Sequence, residues 1–148
     1  MVTANIRRAK RAYGFTLLEI MVVVVILGIL GALVVPQIFD QVDKARVAKA
    51  KQDIKSLEAA LEMYRMDNFR YPTSEQGLRA LVEKPPEARN WKDGGYIKQL
   101  EKDPWDSDYK YVYPGQHGKQ FDLYTYGADG QEGGEKYDAD INNWDAPK

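Results

Sequence analysis

The sequence predicts an α+β fold: a long N-terminal helix, membrane-spanning in its first half, whose second half packs on a small antiparallel β-sheet. Three observations predict it. From Phe15 to Pro36 the only charged residue is Glu19. From Val47 to Tyr64 apolar residues recur at steps of three and four, the period of one helical stripe. Beyond Tyr71-Pro72 the chain turns to short β-rich runs separated by turn residues. The resulting organisation is a basic leader over 1–14, an apolar helix over 15–36, an amphipathic continuation over 37–68 and a globular part over 69–148.

The leader carries Arg7, Arg8, Lys10 and Arg11 and no acid. The whole chain has a net charge of −1, so with +4 in the leader the remainder is −5. No basic stripe marks the folded part, which argues against a nucleic-acid-binding domain. Cysteine is absent, which excludes disulfides and thiolate metal sites.

Residues 15–36, if helical, are about 33 Å long, against a hydrocarbon core of about 30 Å. Ile20 to Val35 carry no polar side chain, whereas a helix of a soluble domain shows a polar stripe. A secretory signal peptide fits the basic head but not the length of the apolar core, and no small-x-small cleavage site follows. A plain anchor and an anchor that also drives assembly remain, and Glu19 separates them. A carboxylate at mid-membrane costs about 2.5–3.5 kcal/mol, less near one end. Basic residues flank both sides of the span, the nearer cluster N-terminal, which favours a cytoplasmic N-terminus. Pro36 removes a backbone donor and predicts a kink or local loosening. Gly28 and Gly31 thin one face for close helix contact.

After Pro36 the stripe Val47, Ala50, Ile54, Leu57, Leu61, Tyr64 predicts a helix that stops near Asn68, because the residue before Pro72 favours extended backbone. "TSEQGLRALVEKP" (73–85) predicts a short second helix, with Thr73 and Gln76 as a capping box. "YIKQL" (96–100), "YKYVYP" (109–114) and "FDLYTYG" (121–127) read as β-rich runs. The last two predict an antiparallel pair joined by "GQHGKQ", packed on the Val47–Tyr64 stripe.

The tail "YGADGQEGGEKYDADINNWDAP" gathers Asp129, Asp138 and Asp140 on a glycine-rich loop. All-oxygen donors suit Ca²⁺, but the spacing is not that of an EF-hand. On spacing alone a solvated acidic loop and a calcium site both stand. A domain of about 80 residues without cysteine benefits from a staple, and a metal is one. His117, the single histidine, lies in a loop and reads as structural or solvent-facing. The tryptophans and tyrosines read as core and half-buried packing. No P-loop, HExxH or GxSxG occurs, so nothing supports an enzyme. Arg7-Arg8 could suggest a twin-arginine signal, which the long uninterrupted span argues against.

"GFTLLEIMVVVVILGIL" resembles the leader junction of type IV pilins and of the pseudopilins of type II secretion. The segments "MYRMDNFRYPTSEQGLRALVEKP", "GGYIKQLEKDPWDSDYKYVYPGQHG" and "DLYTYGADGQEGG…DADINNW" resemble the major pseudopilins in particular. The resemblance implies a pilin-like fold, cleavage between Gly14 and Phe15 by a prepilin peptidase, and N-methylation of Phe15. It makes Glu19 the fifth mature residue and an assembly residue. The new α-amine has an ordinary pKa near 7.7–8 and stays largely protonated. In an apolar bundle a carboxylate is tolerable when paired, so Glu19 meeting a neighbour's amine would select one axial stagger.

The resemblance also implies one structural calcium in the tail. Its ligands would be Asp129, then Asp140 and Asp138, the Tyr126 carbonyl, and a further carbonyl within 131–137. The implied partners are other copies of the chain, minor pseudopilins, an inner-membrane assembly platform with its ATPase, and membrane lipid. The implied location is the bacterial inner membrane, single-pass, with the C-terminal domain in the periplasm and assembly into a periplasmic pseudopilus. That filament would help drive folded proteins across the outer membrane. A type IV pilin for adhesion or DNA uptake is the alternative, and such pilins commonly carry a disulfide loop that this chain lacks.

Overall fold

Thr16 opens the long helix. Its Oγ1 accepts the Glu19 N–H at 3.2 Å, satisfying one of the donors that the first turn leaves without an intrahelical partner. The structure is a computed structural model that describes residues 14–145, the side chains of 33–38 excepted. The leader to residue 13 lies outside the described residues, and at Pro36 the helical backbone continues where a local loosening was expected. The chain divides into two units, 1–39 and 40–148.

Helix α1 runs Leu17–Asn68, 52 residues. In the first unit every large apolar side chain from Leu17 to Leu30 is 46–81 % exposed. Among the described residues no helix is long and apolar enough to cross a membrane. The span expected over 15–36 includes side chains outside that description.

In the second unit α1 buries the predicted stripe. Ala50, Ile54, Leu57, Leu61 and Tyr64 are all buried, joined by Ala60, and Val47 sits half-buried at the rim. A fully buried Leu or Ile contributes about 1.5–3 kcal/mol, so this face holds the helix far more firmly than propensity does. The helix ends where Asn68 Nδ2 donates to the Tyr64 carbonyl at 3.1 Å and to Tyr96 Oη at 2.9 Å. Phe69 follows at φ +62°, the left-handed conformation that closes many helices.

The predicted capping box is present in both directions. Gln76 N–H donates to Thr73 Oγ1 at 3.2 Å, and Thr73 N–H to Gln76 Oε1 at 3.0 Å. The predicted second helix is cut down to a 3₁₀ turn, Leu78–Leu81. Gly77, at φ +57°, breaks the run before it becomes α-helical. Leu78, Ala80 and Leu81 enter the core.

The sheet has three antiparallel strands in the order β1-β2-β3. They are β1 Lys110–Val112, β2 Asp122–Thr125 and β3 Ile141–Asn142. Tyr111 faces Leu123 across the first pair, and Thr125 faces Ile141 across the second. Leu123, Phe121, Tyr109 and Ile141 pack in one core with the helix stripe. The 96–100 run is not a strand: the N–H groups of Tyr96 and Ile97 both go to the Leu81 carbonyl, at 2.8 and 3.4 Å.

Candidate functional site: the helix start and the C-terminal loop

Gly14 and Phe15 precede α1 in non-helical backbone. A Cβ built on Gly14 would meet nothing within 4 Å, and Phe15 is 78 % exposed. Glu19 is the third residue of α1, where the helix dipole favours a negative charge. Its side chain is exposed and makes no ion pair among the described residues. Thr16-Leu17-Leu18-Glu19 also has the spacing of a capping box, a signal that sequence reading passed over. Gly28 and Gly31 have no atom within 4 Å of an added Cβ, so their face is open to another helix.

The C-terminal loop folds back on itself through glycines. Gly127 lies against the backbone of Asp138 and Ala139, and Gly134 against Asp138, each so closely that a Cβ would collide. Ala128 N–H donates to the Tyr137 carbonyl at 3.2 Å, and Asp140 N–H to the Gly133 carbonyl at 3.1 Å. Asp140 Oδ2 accepts the Gly133 N–H at 3.0 Å. Asp129 stands exposed, its Oδ1 taken by the Gln131 N–H at 3.0 Å. The loop therefore brings 127–128 against 137–139, next to Tyr126, and 133 against 140. Among the described residues no three acidic or histidine side chains converge as a metal-holding group.

One atom is nevertheless left over. Asp140 Oδ1 is buried without a hydrogen-bond partner, a costly state that a cation would relieve. The donors are all oxygen, which suits a hard cation. A bound ion would draw on carboxylates and on backbone carbonyls together.

The loop is also tied to α1. Tyr137 Oη donates to Asp40 Oδ1, and Asp40 pairs with Lys44 at 2.6 Å. The hydrogen bonds from Lys44 and then Tyr137 hold the Asp40 carboxyl below the usual range. Accepting from Tyr137, Asp40 pushes the Tyr137 phenol up.

His117 is held in place. Its Nδ1 lies 2.9 Å from Oδ2 of the buried Asp122, and its ring stacks on Trp144 at 4.0 Å. Burial acts to raise the Asp122 carboxyl, but hydrogen bonds from the Gln116 N–H, the His117 ring and the His117 N–H outweigh it and set the pKa below the ordinary value. A second buried carboxylate, Asp103, accepts the Trp105 and Ser107 N–H groups at 2.9 and 2.8 Å and the Thr125 hydroxyl. It fastens the Asp103-Pro104-Trp105 turn to β2. Neither carboxylate was marked by spacing or periodicity.

A long helix that starts behind a prepilin-type junction and carries a small antiparallel sheet on its second half defines a pilin-like subunit. Residues 9–35 match the prokaryotic N-terminal methylation motif, and residues 37–144 match the model for type II secretion system (T2SS) protein G. The chain belongs to the protein G family of type II secretion. It is 60 % identical over 139 residues to the type II secretion system core protein G of Pseudomonas aeruginosa, covering 92 % of this chain and 97 % of that one. To the Vibrio cholerae core protein G it is 57 % identical, covering 93 % and 95 %. A crystal structure of the major pseudopilin of enterohaemorrhagic Escherichia coli superposes with a TM-score of 0.62 at 48 % identity, covering 72 % of this chain and 92 % of that one. The type IV pilin alternative is not favoured by these relationships.

Proposed function

We propose that this chain is the major structural subunit of a type II secretion pseudopilus. It polymerises from the inner membrane and helps drive folded proteins across the outer membrane. The observation that carries the reading is the apolar first stretch of α1, whose large side chains from Leu17 to Leu30 find no burial within their own chain. Twelve such side chains left in water are untenable, so lipid must cover them in the free subunit and other copies in the filament. The matching family model and methylation motif support the same reading.

In this account a prepilin peptidase cuts between Gly14 and Phe15 and methylates the new amine. Glu19 then pairs with the Phe15 amine of a neighbouring copy. The N-terminus starts cytoplasmic and the sheet domain lies in the periplasm. The chain performs no catalysis; the ATPase of the assembly platform supplies the work, and minor pseudopilins join the same filament. One calcium ion, held by Asp140 and Asp129 with Asp138 and the Tyr126 carbonyl, stiffens the C-terminal loop. The orphaned Asp140 Oδ1 supports that assignment.

The test combines mass spectrometry of the mature N-terminus with electron microscopy of cells overproducing the subunit. Filaments beginning at methylated Phe15 are expected. Glu19→Leu should remain in the membrane fraction and give no filaments. A mature chain that begins elsewhere, or normal filaments from Glu19→Leu, overturns the reading.

A further inference from the structure

The C-terminal loop leaves the sheet through a narrow neck. Tyr124 pairs with Asn142 and Thr125 with Ile141 across β2 and β3. Continuing that antiparallel register by one residue sets Tyr126 opposite Asp140. These two residues carry the carbonyl and the carboxylate that the calcium reading uses, and the orphaned buried oxygen belongs to Asp140. The separation of the two arms at the neck is therefore also the separation of two ligands. Strand β3 has only two residues, and Gly127, Gly130, Gly133 and Gly134 follow the neck at positive φ. So short a pair does not hold two arms in one geometry by itself.

The outgoing arm is fixed from outside the loop. Pairing with β1 reaches only as far as Tyr124. One residue on, Thr125, 1 % exposed, donates its hydroxyl to Oδ2 of Asp103, 5 % exposed. Asp103 Oδ1 accepts the N–H groups of Trp105 and Ser107 at 2.9 and 2.8 Å, and the Asp103 N–H goes to the Ser107 carbonyl at 2.8 Å. The carboxylate is thus locked in its own turn before it meets Thr125, and a bond to an ionised acceptor is about twice as strong as a neutral one. The returning arm has its own fastening. The Asn143 side chain accepts the Leu123 N–H at 3.0 Å and donates to the Phe121 carbonyl at 3.1 Å.

We propose that Asp103, acting through Thr125, is a positioning residue for calcium in the C-terminal loop; the inference rests on the calcium reading above. Asp103 does not touch the ion. It fixes Thr125, and the next residue supplies the Tyr126 carbonyl opposite Asp140. Groups that orient a metal's ligands typically contribute about 10–100-fold to its affinity. A role in stability alone would lower the melting temperature of the calcium-free protein and leave the affinity of the folded form unchanged.

The test titrates calcium chloride into the full chain in detergent micelles by isothermal titration calorimetry. Circular dichroism in chelator establishes that each variant is folded at the temperature used. Thr125→Val keeps the branched shape, removes the hydroxyl, and should raise the calcium Kd about tenfold. Thr125→Ser retains the hydroxyl and should bring the Kd back to that of the wild type. Asp103→Asn leaves an oxygen for the two turn N–H groups and makes the bond to Thr125 neutral, so its Kd should rise by less. An unchanged Kd in Thr125→Val, even with a lower melting temperature in chelator, overturns the proposal. A Thr125→Ser protein that binds as weakly as Thr125→Val does the same. Should Thr125→Val be unfolded in chelator, Asp103→Asn decides, and an unchanged Kd there overturns the proposal. Wild-type protein that takes up no calcium removes the calcium reading itself, and this proposal with it.

Discussion

Single residues carry most of the chemistry that spacing alone could not reveal. Asp122 is buried and accepts hydrogen bonds from two backbone N–H groups and the His117 ring. Its carboxyl sits below its ordinary pKa, so it stabilises the fold above the unfolded value of about 4, and that stability is lost as pH falls through the folded value. Asp122→Asn should cost about 2 kcal/mol at neutral pH, the scale of hydrogen bonds to a charged group. Denaturant melts should show the gap from wild type closing below about pH 4; a gap independent of pH would refute the assignment. Gly134 is the matching case for backbone. At φ +80°, with its missing Cβ directed at the Asp138 carbonyl, it admits no side chain without displacing the loop. Gly134→Ala should destabilise the tail by about 1–3 kcal/mol, seen as faster proteolysis between 127 and 140 while the helix signal is kept.

At the level of elements, periodicity served the helix well and the sheet in part. The Val47–Tyr64 stripe is the buried face of α1, and the Thr73–Gln76 box forms as its spacing implies. Apolar repeats and caps are local, so a linear reading recovers them. The β1–β2 pair is legible for the same reason, with alternation on each side of a glycine-containing connection. β3 is two residues inside an acidic tail, too short to show alternation. Its place is set by Ile141 reaching the core. The 96–100 run has strand composition, but Gly94 and Gly95 at positive φ steer its N–H groups to Leu81. Gly77 ends the expected second helix in the same way. The buried Asp103 and Asp122 were invisible because their burial depends on partners 2 to 22 residues away.

For the molecule as a whole, the two candidate sites sit at opposite ends of the sequence and do different work. The helix start was legible because its features are contiguous, and residues 9–35 match the N-terminal methylation motif. The C-terminal loop was readable as a set of residues but not as an arrangement: Asp129 points into its own turn, while Asp140 holds the unpartnered oxygen. If calcium occupies the loop, adding it at a hundred times its Kd should stabilise the folded chain by about 2.7 kcal/mol. A chelator should lower the melting temperature by several degrees, and Asp140→Ala should abolish the difference. Identical melting with and without chelator would remove calcium from the account.

The hydrogen bond from Tyr137 to Asp40 joins positions 97 apart. Chains that end between Thr125 and Tyr137 hold the whole of α1 and two strands, yet lack the clasp. Only a chain that reaches Tyr137 can fasten its tail to α1, so the last tenth of the sequence decides whether the loop has a free end.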